Sequence, residues 1–250
     1  MEYISVDEAR DRKVLRLVLC AGTPGVWGEA IKAVLAYKGI GYVPVLQEMG
    51  GDNDALQDWT GQTSAPVIVD ANDGLHISWE SMVLLAETLA PDKPLIPANL
   101  ADRVLHFGLL REVAGEQGIG WNRRLQSFAA MGGPEVSPIL KRLCDKYGYS
   151  DAAVAGSEQR LVEILTLLSA RLREQGPYFF GKTLTALDFY VAVFLGVMIN
   201  PLPDEVIPMP KGMRFGFSSP SDAINAAFDA TLQAHRDLMF DQHIRTPLEF

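Results

Sequence analysis

The chain changes character once, at the prolines Pro91, Pro94 and Pro97. Before them, short β-branched runs alternate with stretches of helical period. After Asn99 no run reads as a strand, and the apolar residues keep the helical spacing to the end. A chain of 250 residues divided in this way has room for two ordinary domains, a small α/β one and an all-helical one. We place them at residues 14–91 and 100–240.

Val14 to Cys20 reads as a buried strand, broken by Ala21-Gly22-Thr23-Pro24-Gly25. Trp27 to Lys38 reads as a helix, with Ile31, Val34, Leu35 and Lys38 at helical spacing and Gly39 as its stop. Tyr42 to Leu46 is a second strand. Two strands joined by one helix predict a right-handed parallel crossover. A short helix near Asp54 to Trp59 follows, then strands at Pro66 to Asp70 and Gly74 to Ser78 around an Asp73-Gly74 turn. Ser78 can cap a helix over Trp79 to Leu89. The order is β-α-β-α-β-β-α. Residues 1–13 are polar and charged and read as a loose arm or an edge. Beyond the prolines the spacing predicts one long helix from Leu100 to about Ala130, then helices over Val136 to Tyr147, Glu158 to Glu174 and Leu187 to Ile199. A last amphipathic helix runs from Asp222 to Leu238.

The net charge is −9, which disfavours nucleic acid as a partner. No apolar stretch has the length of a membrane span, and the N-terminus lacks the pattern of a signal peptide, so a cytoplasmic protein is expected. His76, His106, His235 and His243 have no ligand spacing, and no metal site is read. Cys20 and Cys144 lie in apolar surroundings and read as two buried free thiols of a reducing compartment.

Three local patterns carry chemistry. In Gln62-Thr63-Ser64-Ala65-Pro66-Val67, a proline opens a strand, where it has no N–H to give the ladder. A cis bond there would aim the Ala65 N–H and C=O at a ligand. In Ser78-Trp79-Glu80-Ser81, the last two residues fall in a first helical turn. Free N–H groups and the Ser81 hydroxyl suit a carboxylate, and Glu80 suits an ammonium. In Leu184-Thr185-Ala186-Leu187-Asp188-Phe189, Thr185 and Asp188 have capping-box spacing and Leu184 and Phe189 form a hydrophobic staple.

In this order, and on this layout, the patterns resemble the glutathione S-transferase family over roughly Leu15 to Ile199. The resemblance implies a thioredoxin-like N-terminal domain that binds glutathione and an all-α C-terminal domain. It implies that Ala65 and Pro66 pair with the cysteinyl backbone of glutathione and that Glu80 and Ser81 hold its γ-glutamyl end. Thr185 and Asp188 match the family's capping box, a folding element. A transferase of this kind activates the glutathione thiol for attack on a small apolar electrophile, with glutathione as co-substrate, and is usually a homodimer. A glutathione-binding or assembly protein without turnover is the alternative.

The chain departs from the family in two places. No Tyr or Ser stands between Cys20 and Trp27 to activate the sulfur. Thr23, Cys20 and the N–H groups that start the Trp27 helix are the available groups, and Thr23 is the preferred hydroxyl. Near Thr63 and Ser64 there is no basic residue for the glycyl carboxylate, which leaves the amide of Gln62. For the electrophile, the resemblance points to Trp27, His106, Trp121, Phe128 and Met131 between the domains. Arg123-Arg124 reads as a solvated face.

Overall fold

The structure is a computed structural model that describes residues 1–218 and 220–250. Ile4 pairs with Val45 at the edge of the sheet, and the polar residues after it are helical rather than loose. Val6–Arg10 forms a single helical turn (α1) closed by a capping box. The Ser5 N–H donates to Glu8 across 2.8 Å, and the Glu8 N–H donates to Ser5 Oγ across 3.2 Å. Ala9 is fully buried, packed with Val18, Val45 and Leu56. The arm is therefore part of the fold, and one buried alanine in a polar stretch is too weak a signal to announce it.

Arg16–Cys20 (β1), Val26–Lys38 (α2) and Val43–Gln47 (β2) make the expected parallel crossover, in the register Val18↔Val45. Gly39 ends α2 at φ 74°, a left-handed conformation that suits glycine. Asp54–Thr60 (α3), Val67–Val69 (β3), Leu75–His76 (β4) and Trp79–Leu89 (α4) complete this half. The sheet order is β2-β1-β3-β4, with β3 antiparallel to both neighbours. The β1–β3 ladder ends at Val18↔Val67, so the Ala65–Pro66 peptide, which is cis, lies just beyond it.

The second half is helical among the described residues: Leu100–Ala114 (α5), Ile119–Ala130 (α6), Pro138–Lys146 (α7), Asp151–Gln175 (α8), Ala186–Phe194 (α9), Lys211–Phe217 (α10), Asp222–Ala227 (α11) and Ala230–Gln242 (α12). A turn of π-helix, Leu195–Ile199, continues α9. Two single helices expected from the spacing are in fact pairs. The long one breaks between α5 and α6, where a Cβ on Gly118 would stand 2.7 Å from the Glu112 carbonyl and Gln117 takes a φ of 62°. The last one breaks at Asp229, whose carboxylate caps α12 by accepting from the N–H groups of Thr231 and Leu232. The apolar period runs through both breaks, so spacing alone does not reveal them. The helix α10 has no counterpart in the sequence reading, and α8 starts at Asp151 rather than Glu158, behind a Ser150 cap.

One core spans both halves. Leu17, Ile31 and Leu35 belong to the same buried cluster as Leu165, Phe189 and Phe194. Every residue of α9 is buried, Asp188 included. Its carboxylate accepts from the Phe179 N–H (3.1 Å), the Thr185 N–H (2.8 Å) and the Thr185 hydroxyl (2.8 Å), and lies 3.0 Å from His235 Nε2. Four polar partners make a buried carboxylate tolerable at the start of an otherwise apolar helix.

Candidate functional site

A cavity of about 340 Å³ opens where β1 ends, α2 begins and α7 crosses. Its floor is the end of β1 with Cys20, the loop of Thr23, and the first residues of α2. Gly25, the N-cap of α2, offers no side chain to the helix start, so the first N–H groups have no side-chain acceptor at the cap. The turn before the cis peptide supplies Thr63, Ser64 and Ala65. Gln47 ties that turn to β2 by donating from Nε2 to the carbonyls of Glu48 (2.7 Å) and Thr63 (3.2 Å).

The opposite wall is basic and comes from the helical half: Arg124 on α6, Arg142 and Lys146 on α7. Lys146 Nζ donates to Ser64 Oγ across 2.5 Å. Desolvation first, and then the charge of Arg124, pull the Lys146 pKa below its ordinary value. Arg142 pairs with Asp52 at 2.8 Å and donates to the Gly50 carbonyl at 2.9 Å. The Arg124 guanidinium lies 5.2 Å from the ring of Trp27 and 5.2 Å from that of Tyr147. Trp27 is itself pinned, its Nε1 donating to the Ala114 carbonyl across 2.7 Å. Its ring passes so close to α6 that a Cβ on Gly120 would stand 2.8 Å from it.

A second cavity of about 650 Å³ continues from the first and shares Thr23, Met49, Arg124, Leu143 and Met213 with it. Phe128, Met131, Ile139, Leu140 and Phe217 give it apolar walls, and the exposed side chains of Val136 and Phe215 form part of its lining. Thr23 lines both cavities, and its hydroxyl is buried and without a hydrogen-bond partner. Two adjoining compartments, one lined by cations and backbone and one apolar, can hold a polar anion beside an apolar body. Among the described residues no cluster of His, Cys, Asp or Glu suits a metal ion, and no helix is long and apolar enough to cross a membrane.

Residues 151–238 match the sequence family "Glutathione S-transferase, C-terminal domain". Solved structures match across nearly the whole chain. A glutathione S-transferase from Methylobacillus flagellatus, solved with GSH bound, is 12% identical at a TM-score of 0.67, covering 94% of this chain and 100% of its own. A glutathione transferase family member from Pseudomonas fluorescens, with two glutathione bound, is 12% identical at 0.67, covering 95% and 94%. The maleyl pyruvate isomerase described as a bacterial zeta-class glutathione S-transferase is 19% identical at 0.55, covering 88% and 95%. Residues 151–238 carry the glutathione S-transferase family's C-terminal domain, and the chain as a whole shares the fold of these structures. Comparison with curated protein sequences finds no match.

The residues expected at the site divide into three groups. Thr23, Ala65 and Trp27 line the first cavity, and Phe128 and Met131 line the second together with Thr23. Pro66 forms the cis peptide beside them. Gln62, Glu80 and Ser81 stand outside both linings. Glu80 is exposed at the start of α4. The Ser81 hydroxyl is engaged in the cap of its own helix, donating to the Ser78 carbonyl across 2.8 Å and accepting from the Ser78 N–H at 3.2 Å.

Two expected pocket residues are elsewhere. His106 is fully buried between Phe107 and Phe180, at 5.1 and 5.9 Å, with both ring nitrogens unpartnered. It sits on the core face of α5, one turn before buried Leu109 and Leu110. Burial draws its pKa down to about 4. Trp121 packs against Tyr147 at 4.7 Å, in a satellite core outside both linings.

Three further expectations are corrected. Cys20 is only half-buried and faces the first cavity, while Cys144 is buried, its thiol pushed up by desolvation. Arg123-Arg124 is not a solvated face: Arg123 is 2% exposed and donates to the carbonyls of Met198 and Phe217, both at 2.9 Å. Basic residues near Ser64 do exist. Lys146 and Arg142 come from α7, far along the chain, which no local reading of Thr63-Ser64 can find.

Proposed function

We propose that this protein is a glutathione transferase, binding glutathione in the first cavity and an apolar electrophile in the second. The observation that carries the reading is the Ala65–Pro66 turn just beyond the β1–β3 ladder, set beside the uncapped N-terminus of α2 in one cavity. On this reading the Ala65 N–H and C=O pair with the cysteinyl backbone and Pro66 keeps them out of the ladder. Lys146 and Arg142 take the glycyl carboxylate, in place of the amide of Gln62. Glu80 takes the γ-glutamyl ammonium. The first-turn N–H groups of α4 take its carboxylate, with Ser81 exchanging its bond to Ser78 for one to the ligand. Residues 14–91 form the glutathione-binding half and residues 100–240 the half that holds the electrophile.

Thr23 donates its hydroxyl to the sulfur, with the first N–H groups of α2 beside it. The thiol proton leaves to solvent. The thiolate then forms a C–S bond to the electrophilic carbon as the leaving group departs with its electron pair. Proximity and thiolate stabilisation supply the rate, and no metal takes part. The structural relatives with bound glutathione support this assignment.

A glutathione-binding protein without turnover is the second reading. It is favoured by the loop from Cys20 to Trp27, which holds no Tyr or Ser. The reading also takes the protein as a cytoplasmic homodimer. Free Cys20 and Cys144 suit a reducing cytoplasm. Leu75, Ile77, Leu84, Leu100 and Val104, on β4, α4, the link between them and the start of α5, are exposed apolar side chains that a second copy would cover. Retention on immobilised glutathione, with elution by free glutathione, tests the binding assignment. Conjugation of 1-chloro-2,4-dinitrobenzene then separates the two readings.

A further inference from the structure

We propose that the electrophile of this protein carries an anionic group, and that Arg124 is the residue that selects it. The inference rests on the reading above for the place of glutathione, and it concerns the second cavity. That cavity is apolar except for one cation and a few hydroxyls. Neither lining contains an aspartate or glutamate, although the chain as a whole is strongly acidic. The local field is therefore opposite in sign to the net charge.

Among the cations of the cleft, Arg124 alone is shared by the two cavities. Arg142 is engaged by Asp52 and Gly50, and Lys146 by Ser64. Arg124 belongs to no ion pair among the described residues, and its Nε is buried with no partner. An unpartnered polar group in such a place is costly until something accepts from it. The guanidinium carbon lies 5.2 Å from the ring centroids of both Trp27 and Tyr147, and no hydrogen bond or ion pair among the described residues takes its N–H groups, which leaves them for a carboxylate or sulfonate. A ligand with an apolar body against Phe128 and Met131 and an acid group at Arg124 fills both requirements.

The test needs no turnover. 8-Anilinonaphthalene-1-sulfonate and N-phenyl-1-naphthylamine share their ring system and differ by the sulfonate. Fluorescence titration of each into the full-length protein reads the charge term directly. Arg124→Gln is expected to weaken the sulfonate at least tenfold and the neutral probe less than twofold. Arg124→Lys, which keeps the charge and loses the planar guanidinium, is expected to stay within about threefold of wild type for the sulfonate. Saturating glutathione is expected to leave the sulfonate bound. The inference is overturned if both probes weaken in parallel, if the Lys and Gln variants behave alike, or if glutathione expels the sulfonate, which would put Arg124 in the glutathione footprint. Failure of glutathione itself to bind would count against the proposed function, while the comparison of the two probes would still decide the role of Arg124.

Discussion

Lys146 donates to Ser64 across 2.5 Å, so the helical half of the chain closes the turn that leads into the cis Ala65–Pro66 peptide. The hydrogen bond spans the two halves at the mouth of the first cavity. A ligand carboxylate arriving there meets an ammonium already placed beside the backbone groups that would hold the rest of it.

Removing that ammonium should weaken glutathione without disturbing the fold. Lys146→Met keeps the alkyl stem and loses the charge. The expected outcome is a three- to tenfold rise in the glutathione Kd, roughly the size of a partly solvated ion pair, measured by calorimetry at low salt. An unchanged Kd would move the glycyl carboxylate away from α7.

Thr23 gives a prediction with two readouts. Its hydroxyl is buried and unpartnered in the free protein, so Thr23→Val is expected to leave Tm unchanged or slightly raised. The same change removes the donor to the sulfur, and kcat should fall by roughly tenfold or more, while the glutathione Kd moves less than threefold. A loss of stability with unchanged kcat would make Thr23 a structural residue.

His106 sets a pH dependence. Its folded pKa, about 4, lies below the ordinary value of 6.5 because burial penalises the charged ring. The unfolded chain therefore binds the extra proton first as pH falls from about 6.5 to about 4, and the folded state loses stability across that window. The full effect is on the order of 3 kcal/mol. In urea titrations His106→Leu should flatten this part of the profile relative to wild type. Parallel profiles would show that the His106 pKa is the same in the folded and unfolded chain.

Asp188 holds the start of α9 through four polar partners. Asp188→Asn sets an amide N–H₂ against donors and removes a buried acceptor. The expected cost is about 2–4 kcal/mol in equilibrium unfolding, with glutathione affinity unchanged in the protein that remains folded. A cost below about 0.5 kcal/mol would deny the capping box its role in stability.

Leu100 and Val104 are one turn apart on α5 and 75% and 67% exposed. The homodimer reading predicts that sedimentation finds a dimer at micromolar concentration and that Leu100→Glu with Val104→Glu yields a monomer. A wild-type monomer would remove the assignment.

The α/β half was legible because its signals are local. A β-branched run, a glycine stop and a proline opening a strand each act within a few residues, and β1, α2, β2 and the Pro66 turn follow from them. The capping box of Thr185 and Asp188 was legible for the same reason. What escaped depends on tertiary contact. His106 and Trp121 have the residue types of a pocket, but the rotation of α5 and α6 turns them into packed cores. The basic wall of Arg124, Arg142 and Lys146 exists only once α6 and α7 are laid across the turn. Cys20 reads as buried in a strand pattern, yet it is the last residue of β1, where the sheet opens onto the cavity.

The central claim is that the first cavity holds glutathione with its sulfur at Thr23 and the start of α2. Ultraviolet difference titration of the bound thiol tests it most directly. The account predicts thiolate absorbance that titrates about two units below the free thiol, near pH 6.5, and shifts back toward the free value in Thr23→Val. Bound glutathione whose thiol titrates at its free value, with wild type and Thr23→Val alike, would contradict it.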